Sequence, residues 1–354
     1  MHVSLFHILL ALVALAEANY KILFYWSVDS DPQTQKKVID NVAHAKSDDQ
    51  GGPNCCHVML SHYAGNASDW DQTWYQQHVV LNRSGSGFKY RGLKELYNSG
   101  EFHGNWADHY EWVFALDSDI DLTALDFPRF FELARNSGAV IVTPTFTGPS
   151  GQWANFNLKS QENNKKDDYK SNRHALSRVF DSTGAALKFT DHVVDEDADA
   201  LKTHEAVALQ IHVLGRPDEN CQYRHTSYVE MTAPIIHMKV LDLVLNQCEG
   251  CIGEKAEWGL DRVWCNHVKK GTGIDKPCAY VDETSVQHLD WKKAQSSVSN
   301  GVLKDSENAV KKSHGNEWAS VEMIDCIPRP GKQASSPPTG PPVNGVAPNG
   351  IAIR

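Results

Sequence analysis

Val113-Phe114-Ala115-Leu116-Asp117-Ser118-Asp119-Ile120-Asp121 is the stretch from which the rest of the chain can be read. Its first four residues are apolar without alternation, the pattern of a strand covered on both faces. Three carboxylates follow directly. In open α/β sheets, ligands bind beyond the carboxyl ends of the strands, which is where this motif falls. Carboxylates as close as Asp117 and Asp119 repel one another unless a cation sits between them. Mg²⁺ or Mn²⁺ suits the position, because such ions bind through few carboxylates and take their remaining ligands from substrate phosphates. An acidic turn or a helix N-cap uses the same residue types, so the surroundings must decide.

Working outward, Tyr20 to Val28, His57 to His62, Glu111 to Leu116 and Ala139 to Thr145 are short β-rich apolar runs. Asp31 to Ala45, Phe88 to Leu96 and Phe127 to Ala134 lie between them and place apolar residues at helical spacing. Strands alternating with helices predict an α/β fold, Rossmann-like, with a mixed, mainly parallel sheet flanked by helices. Residues 148–168 are polar and read as a loop, as does the acidic run Asp195 to Asp199. Order is expected to resume at Tyr228 to Leu245 as a short strand and an amphipathic helix. The composition of 328–354 is rich in Pro, Gly and Ser, and predicts a disordered tail.

The 354 residues are 41% hydrophobic and include ten Trp, enough to bury one large core or two small ones. A formal net charge of -10 disfavours nucleic acid as a partner. The apolar run from Val3 to Ala16, followed by Ala16-Glu17-Ala18, reads as a signal peptide over residues 1–18, with an uncleaved anchor as the alternative. That run is shorter than a stable membrane span requires. The sequons at Asn66 and Asn82 and the even count of eight Cys agree with a secreted or ER/Golgi lumenal protein. The sequence does not reveal how the cysteines pair. Cys248-x-x-Cys251 is also a zinc or redox pattern, but no second CxxC accompanies it, so structural disulfides are expected.

Three further groups of residues carry chemistry. In Glu257-Trp258-Gly259-Leu260-Asp261, the glycine permits close backbone approach to a ligand, and the indole offers a face to a sugar ring. Asp261 is then placed to take a proton from a hydroxyl. A helix start with a buried Trp and a capping acid is the alternative. His288, after Tyr280-Val281-Asp282 and Val286-Gln287, is a candidate metal or phosphate ligand or an ordinary structural histidine. Lys89 and Lys94 lie on a predicted helix at roughly one-turn spacing, so one of them is a candidate phosphate contact, with a solvated basic face as the alternative.

These residues together resemble a glycosyltransferase-like family of unknown function whose plant members are often labelled lysine-ketoglutarate reductase trans-splicing-related proteins. The resemblance runs through VMLSHYAGNASDW (58–70), Lys89, Lys94 and YEWVFALDSDIDL (110–122). It continues through YVEMTAPIIHMKVLDLVLN (228–246), EWGLD (257–261) and the spacing from Val281-Asp282 to His288. The loop at 148–168 and the Cys248/Cys251 insertion depart from it. It implies a GT-A-type glycosyltransferase domain over residues 19–295, a C-terminal extension over 296–327 and the tail beyond.

It further implies a metal-dependent enzyme that moves a sugar from a nucleotide-sugar donor to a glycan, glycoprotein or small hydroxyl acceptor. Asp117, Asp119 and His288 would hold Mn²⁺ or Mg²⁺. Lys89, Lys94, Asp117, Trp258 and Gly259 would bind the donor, with Asp261 as base and Glu230 on the sugar or acceptor. A catalytically inactive secreted carbohydrate-binding protein of the same fold is the alternative. A metal-dependent hydrolase would require more His and carboxylate ligands than the pattern offers.

Overall fold

The structure is a computed structural model that describes residues 21–85, 88–100, 106–147, 214–253, 257–289 and 300–333. The signal segment, the loop at 148–168, the acidic run at 195–199 and residues 334–354 lie outside these. Among the described residues ten strands form one sheet: β1 (Ile22–Val28), β2 (Cys56–His62), β3 (Val79–Ser84), β4 (Trp112–Leu116), β5 (Ile120–Asp121), β6 (Ile141–Thr147), β7 (Cys221–Thr226), β8 (Ile235–His237), β9 (Cys278–His288) and β10 (Met323–Pro328). Their order is β10-β7-β9-β6-β8-β4-β1-β2-β3, and β5 pairs with β9 off this path.

Only β5, β7 and β8 oppose the direction shared by the other strands. The expected mixed, mainly parallel sheet is therefore present. The helices are α1 (Pro32–Ala45), α2 (Gln72–His78), α3 (Lys89–Asn98), α4 (Trp106–His109), α5 (Phe127–Ser137), α6 (Met238–Asp242), α7 (Trp264–Thr272) and α8 (Asn300–Ser313).

β1 is buried at all seven positions and β4 at all five, as unbroken apolar runs require at the centre of a covered sheet. They pair in parallel from Ile22↔Trp112 to Trp26↔Leu116. α5 lies against them by aromatic contacts, with Phe114 stacked on Phe130 at 5.9 Å and Phe24 tilted against Phe127 at the same distance. Asp126 caps the start of α5 by accepting from the Arg129 N–H, and Gly138 at φ 67° ends it. α1 begins in the same manner, with Asp31 accepting from the Gln33 N–H and Pro32 in the first turn.

α3 has no local side-chain cap. Its first amides are met by Glu257, 167 residues away from Tyr90, whose carboxylate accepts from the backbone N–H groups of Tyr90 (2.9 Å) and Arg91.

The segment expected to be an extension beyond residue 295 adds to the same sheet. β10 pairs antiparallel with β7, and Cys221–Cys326 bonds the two. The expected tail start at 328 also falls inside ordered structure, because Arg329 donates to the carbonyls of Cys221 (2.9 Å) and Asp282 (3.0 Å). The other sulfur pairs are Cys55–Cys56, Cys248–Cys251 and Cys265–Cys278. Both sequon asparagines, Asn66 and Asn82, are exposed. No helix among the described residues is long and apolar enough to cross a membrane.

β7 carries charge into the interior. Arg224 meets both oxygens of Asp282 on β9, Nε to Oδ2 at 2.9 Å and an Nη to Oδ1 at 2.8 Å, with side chains 5% and 0% exposed. Removing one partner of such a pair leaves a buried charge unmatched. Asp282→Ala should therefore lower the unfolding free energy by about 3–5 kcal/mol, read as a shift of the urea midpoint at constant slope.

Candidate functional site

The acidic motif leaves β4 at its carboxyl end, and its two aspartates turn in different directions. Asp117 turns toward α3, where Lys89 Nζ lies 2.9 Å from Oδ1. Lys89 is 6% exposed and also donates to the carbonyls of Thr232 (2.9 Å) and Met231. An ammonium has three hydrogens; these three oxygens are its close acceptors, with the Ala115 carbonyl further off at 3.5 Å. Lys89 is thus a buried brace beneath Asp117, not the exposed phosphate contact expected from its place on the helix. Asp117 keeps 41% of its side chain exposed.

Lys94 does not share that place. Five residues advance a helix by about 500°, roughly 140° past a full turn, so the two lysines diverge. Lys94 instead lines a shallow cleft of about 370 Å³ between α3 and Ile252–Gly253, together with Arg91 and Glu95.

Asp119 turns the other way. β5 pairs antiparallel with the last residues of β9, setting Ile120 opposite His288, and the Leu289 N–H closes on the Asp119 carbonyl at 3.0 Å. This brings His288 Nε2 within 3.3 Å of Asp119 Oδ2, with both side chains mostly buried. Among the described residues, Asp117, Asp119 and His288 are not one of the groups whose three ligand atoms all lie within 4.8 Å of one another. The pair Asp119–His288, one carboxylate oxygen and one imidazole nitrogen, fits as neighbouring ligands of a divalent ion such as Mn²⁺, and Asp117 is the more exposed carboxylate beside it.

The motif is fixed from below by α1. Buried Asn41 donates to the Ile120 carbonyl (2.8 Å) and accepts from the Leu122 N–H (2.8 Å), and Lys37 binds Asp121 at 2.6 Å. Asp121, Asn41 and Lys37 therefore shape the turn and leave the cleft to Asp117 and Asp119.

The segment Tyr228 to Thr232 links these groups to Asp261. The Tyr228 hydroxyl donates to Asp261 Oδ2 at 2.9 Å. The Glu230 N–H donates to the Tyr280 hydroxyl at 3.0 Å, and Thr232 Oγ1 donates to Glu230 Oε1 at 2.8 Å. The carbonyls of Met231 and Thr232 are those that hold Lys89.

Burial raises the Glu230 carboxyl above its ordinary range, against the pull of His288 and of the Thr232 hydroxyl. Asp117 and Lys89 also act on it electrostatically, so the metal-ligand candidates and Glu230 share one field. Burial pushes Asp261 up to about 6, against the Tyr228 hydrogen bond and with Glu230 adding repulsion. Glu257 is pushed up to about 7 by burial, despite the two amides it caps.

The residues of Glu257-Trp258-Gly259-Leu260-Asp261 do separate things. Trp258 is 47% exposed, a large apolar face left open to solvent. Gly259 adopts φ 100°, which is what calls for glycine at this position, and it lies against Glu307 and Val310 of α8 and against Trp318.

Two residues absent from the sequence-based site also face it. Asp29 follows β1 and accepts from the Tyr63 hydroxyl at 2.9 Å, and Tyr63 in turn meets Ser118. Asp29 was visible as a carboxylate at a strand's carboxyl end. Tyr63 had no such signal.

Residues 16–186 match the family described as "Protein of unknown function (DUF707)". The resemblance read from the order of the motifs is borne out over that part of the chain. The matched segment contains Lys89, Lys94, Asp117 and Asp119, and ends before Glu230, Asp261 and His288. No curated protein matches the sequence.

Solved structures with a similar fold include glucosyl-3-phosphoglycerate synthase from Mycobacterium tuberculosis in complex with Mn²⁺ and UDP-glucose. The identity is 10% and the TM-score 0.42, over 86% of this chain and 83% of that one. GalNAc-T7 with UDP, GalNAc and Mn²⁺ matches at 8% identity and TM-score 0.44, over 84% and 48%. S. aureus TarS matches at 8% and 0.41, over 76% of this chain, which spans 36% of that protein. Likeness at this level describes general architecture and carries no argument about chemistry.

The raised Asp261 carboxyl has a measurable consequence. Its folded value of about 6 lies above the ordinary one of about 3.9, so the folded state holds this proton more tightly. That contribution to stability is complete below about pH 4 and is lost as pH rises through about 6. Asp261→Asn cannot titrate. Urea unfolding at pH 4, 5, 6 and 7 should show the variant gaining on wild type across the series. A constant difference would mean that the carboxyl is not raised.

Proposed function

We propose that this protein is a metal-dependent glycosyltransferase that moves a sugar from a nucleotide-sugar donor to a hydroxyl acceptor in the secretory pathway, with GT-A-type organisation. What supports the reading is that His288 contacts Asp119, that Glu230 is coupled electrostatically to His288 and Asp117, and that Asp261 is coupled in turn to Glu230. Asp119 and His288 would hold Mn²⁺ or Mg²⁺, which when bound stabilises negative charge on a diphosphate leaving group. Asp117, braced by Lys89, keeps a carboxylate at the mouth of that corner.

The nucleotide would lie over the ends of β1 and β2, where Asp29 and Tyr63 offer polar contacts. Glu230 would accept from sugar hydroxyls, and exposed Trp258 would lie against the acceptor ring. Asp261 Oδ1 would take the proton of the attacking hydroxyl while Tyr228 holds Oδ2. A base in that role implies inversion at the anomeric carbon. A carboxyl near 6 is largely ionised at neutral pH and still basic enough to accept a proton. The paired cysteines and exposed sequons support a lumenal or secreted location.

The test is calorimetric binding of a panel of nucleotide-sugars with and without Mn²⁺, followed by release of free nucleotide. Asp119→Ala should weaken metal-dependent donor binding about a hundredfold or more. Binding unchanged in that variant would remove the metal corner. Asp261→Asn should bind donor normally and lose about 10²–10⁴ in turnover. The wild-type rate should fall as pH drops below about 6, as the base takes up its proton. Metal-dependent donor binding without nucleotide release, across all acceptors tried, would instead identify a carbohydrate-binding protein of this fold.

A further inference from the structure

On the far side of α3 from the acidic motif, the Cys248-Glu249-Gly250-Cys251 turn gains a partner that the sequence did not reveal. Gly250 at φ 78° and the Cys251 N–H closing on the Cys248 carbonyl at 3.2 Å fold the turn so that both sulfurs point the same way. Their neighbour is His314, which follows the last residue of α8. The two sulfurs and one histidine nitrogen all lie within 4.8 Å of one another, and His314 Nε2 is 3.9 Å from Cys248 Sγ. Cys248 and Cys251 are 2% and 0% exposed, so the cluster is shielded.

The histidine is also oriented from behind. Its Nδ1 lies 3.1 Å from Glu317 Oε2, and since a carboxylate only accepts, Nδ1 carries the proton. Glu317 is itself 7% exposed and bound by Lys270 at 2.6 Å and by His267 at 2.8 Å. A carboxylate holds one imidazole nitrogen, and the other, now bonded to the Glu249 carbonyl at 2.6 Å, lies beside the two sulfurs; turned from that oxygen to the sulfurs, it completes the arrangement that orients histidine toward a metal.

We propose that Cys248, Cys251 and His314 form a redox-gated zinc site. With the sulfurs joined, neither is a thiolate and the site is closed to metal. A small dithiol opens it: the S–S bond accepts two electrons and two protons, and the dithiol becomes a disulfide. Zn²⁺ then binds both thiolates and Nε2, displacing the thiol protons and the Nε2 proton that now points to the Glu249 carbonyl at 2.6 Å. Water completes four-coordination. Two thiolates and an imidazole favour zinc over the oxygen-seeking ions suited to Asp119 and His288. The bound ion joins the turn after α6 to the end of α8, the helix that covers Gly259.

The test uses the full chain, treated with a phosphine, which reduces disulfides with water as oxygen and proton source, and titrated with Co²⁺ as a spectroscopic stand-in. Reduced wild type should bind cobalt at this site with sulfur-to-cobalt charge-transfer absorption and the visible bands of a tetrahedral ion, both abolished by Zn²⁺. Untreated protein should show neither. Reduction also opens the other cysteine pairs, so the variants assign the site. Cys251→Ser should lose the charge-transfer band, His314→Gln should weaken binding at least about tenfold, and Asp119→Ala should leave the band unchanged. No band in reduced wild type, or a band that survives Cys251→Ser, overturns the proposal. Should Cys251→Ser not fold, alkylation of reduced wild type decides: Zn²⁺ should protect Cys248 and Cys251, and labelling of both at an unchanged rate rejects the site.

Discussion

Taking the Lys89 ammonium out of water is tolerable only if each of its hydrogens finds an oxygen, and that requirement organises the cleft. The three oxygens come from the end of β4 and from two successive peptides at 231 and 232. α3, β4 and the segment leading into β8 must therefore meet at a single atom. Glu257 sets where α3 begins, and with it the position from which Lys89 reaches inward. Asp117 is drawn toward this cation, and the turn at Ser118-Asp119, closed by the Ile120 N–H on the Asp117 carbonyl at 3.3 Å, carries Asp119 to the other side, where the end of β9 presents His288. The two aspartates of the motif are therefore unequal by construction.

The same segment extends that order across the cleft. Tyr228 bonds Asp261, Glu230 bonds Tyr280, and the turn at 231–232 offers its carbonyls to Lys89, so one short segment touches all three groups. Buried phenols at Tyr228 and Tyr280 replace water around the carboxylates. They supply hydrogen bonds while keeping the local dielectric low, which is why Asp261 and Glu230 hold their protons more tightly than exposed acids.

Much of this was legible in the sequence where one physical rule dominates. β1, β2, β4 and β6 are apolar runs whose burial leaves no alternative, and the acidic motif follows β4 as expected. β7 was not legible: Cys221-Gln222-Tyr223-Arg224-His225-Thr226 has no apolar run, and Arg224 and His225 find their partners in Asp282 and Asp325, far away in sequence. β3, half exposed at the sheet edge, lacks an apolar run for the opposite reason. In the site, Asp117, Asp119 and His288 were expected to share one ion; the structure sets His288 beside Asp119 and turns Asp117 toward Lys89. The burial of Lys89, the capping of α3 by Glu257 and the contact of Gly259 with α8 depend on partners distant in sequence. No local pattern encodes such pairings.

β8 has a consequence for the order in which this chain can be assembled. Only three residues long, it lies between β4 and β6 and is antiparallel to both, so it alone joins the two halves of the sheet. β1 to β4 can pair as soon as they leave the ribosome, since their partners are close in sequence. Until residue 237 has emerged, however, the outer edge of β4 exposes unpaired backbone along one of the most apolar strands of the molecule. A nascent chain thus carries a sticky sheet edge through the synthesis of about a hundred further residues, the interval in which chaperone binding or misassociation competes with closure of the sheet.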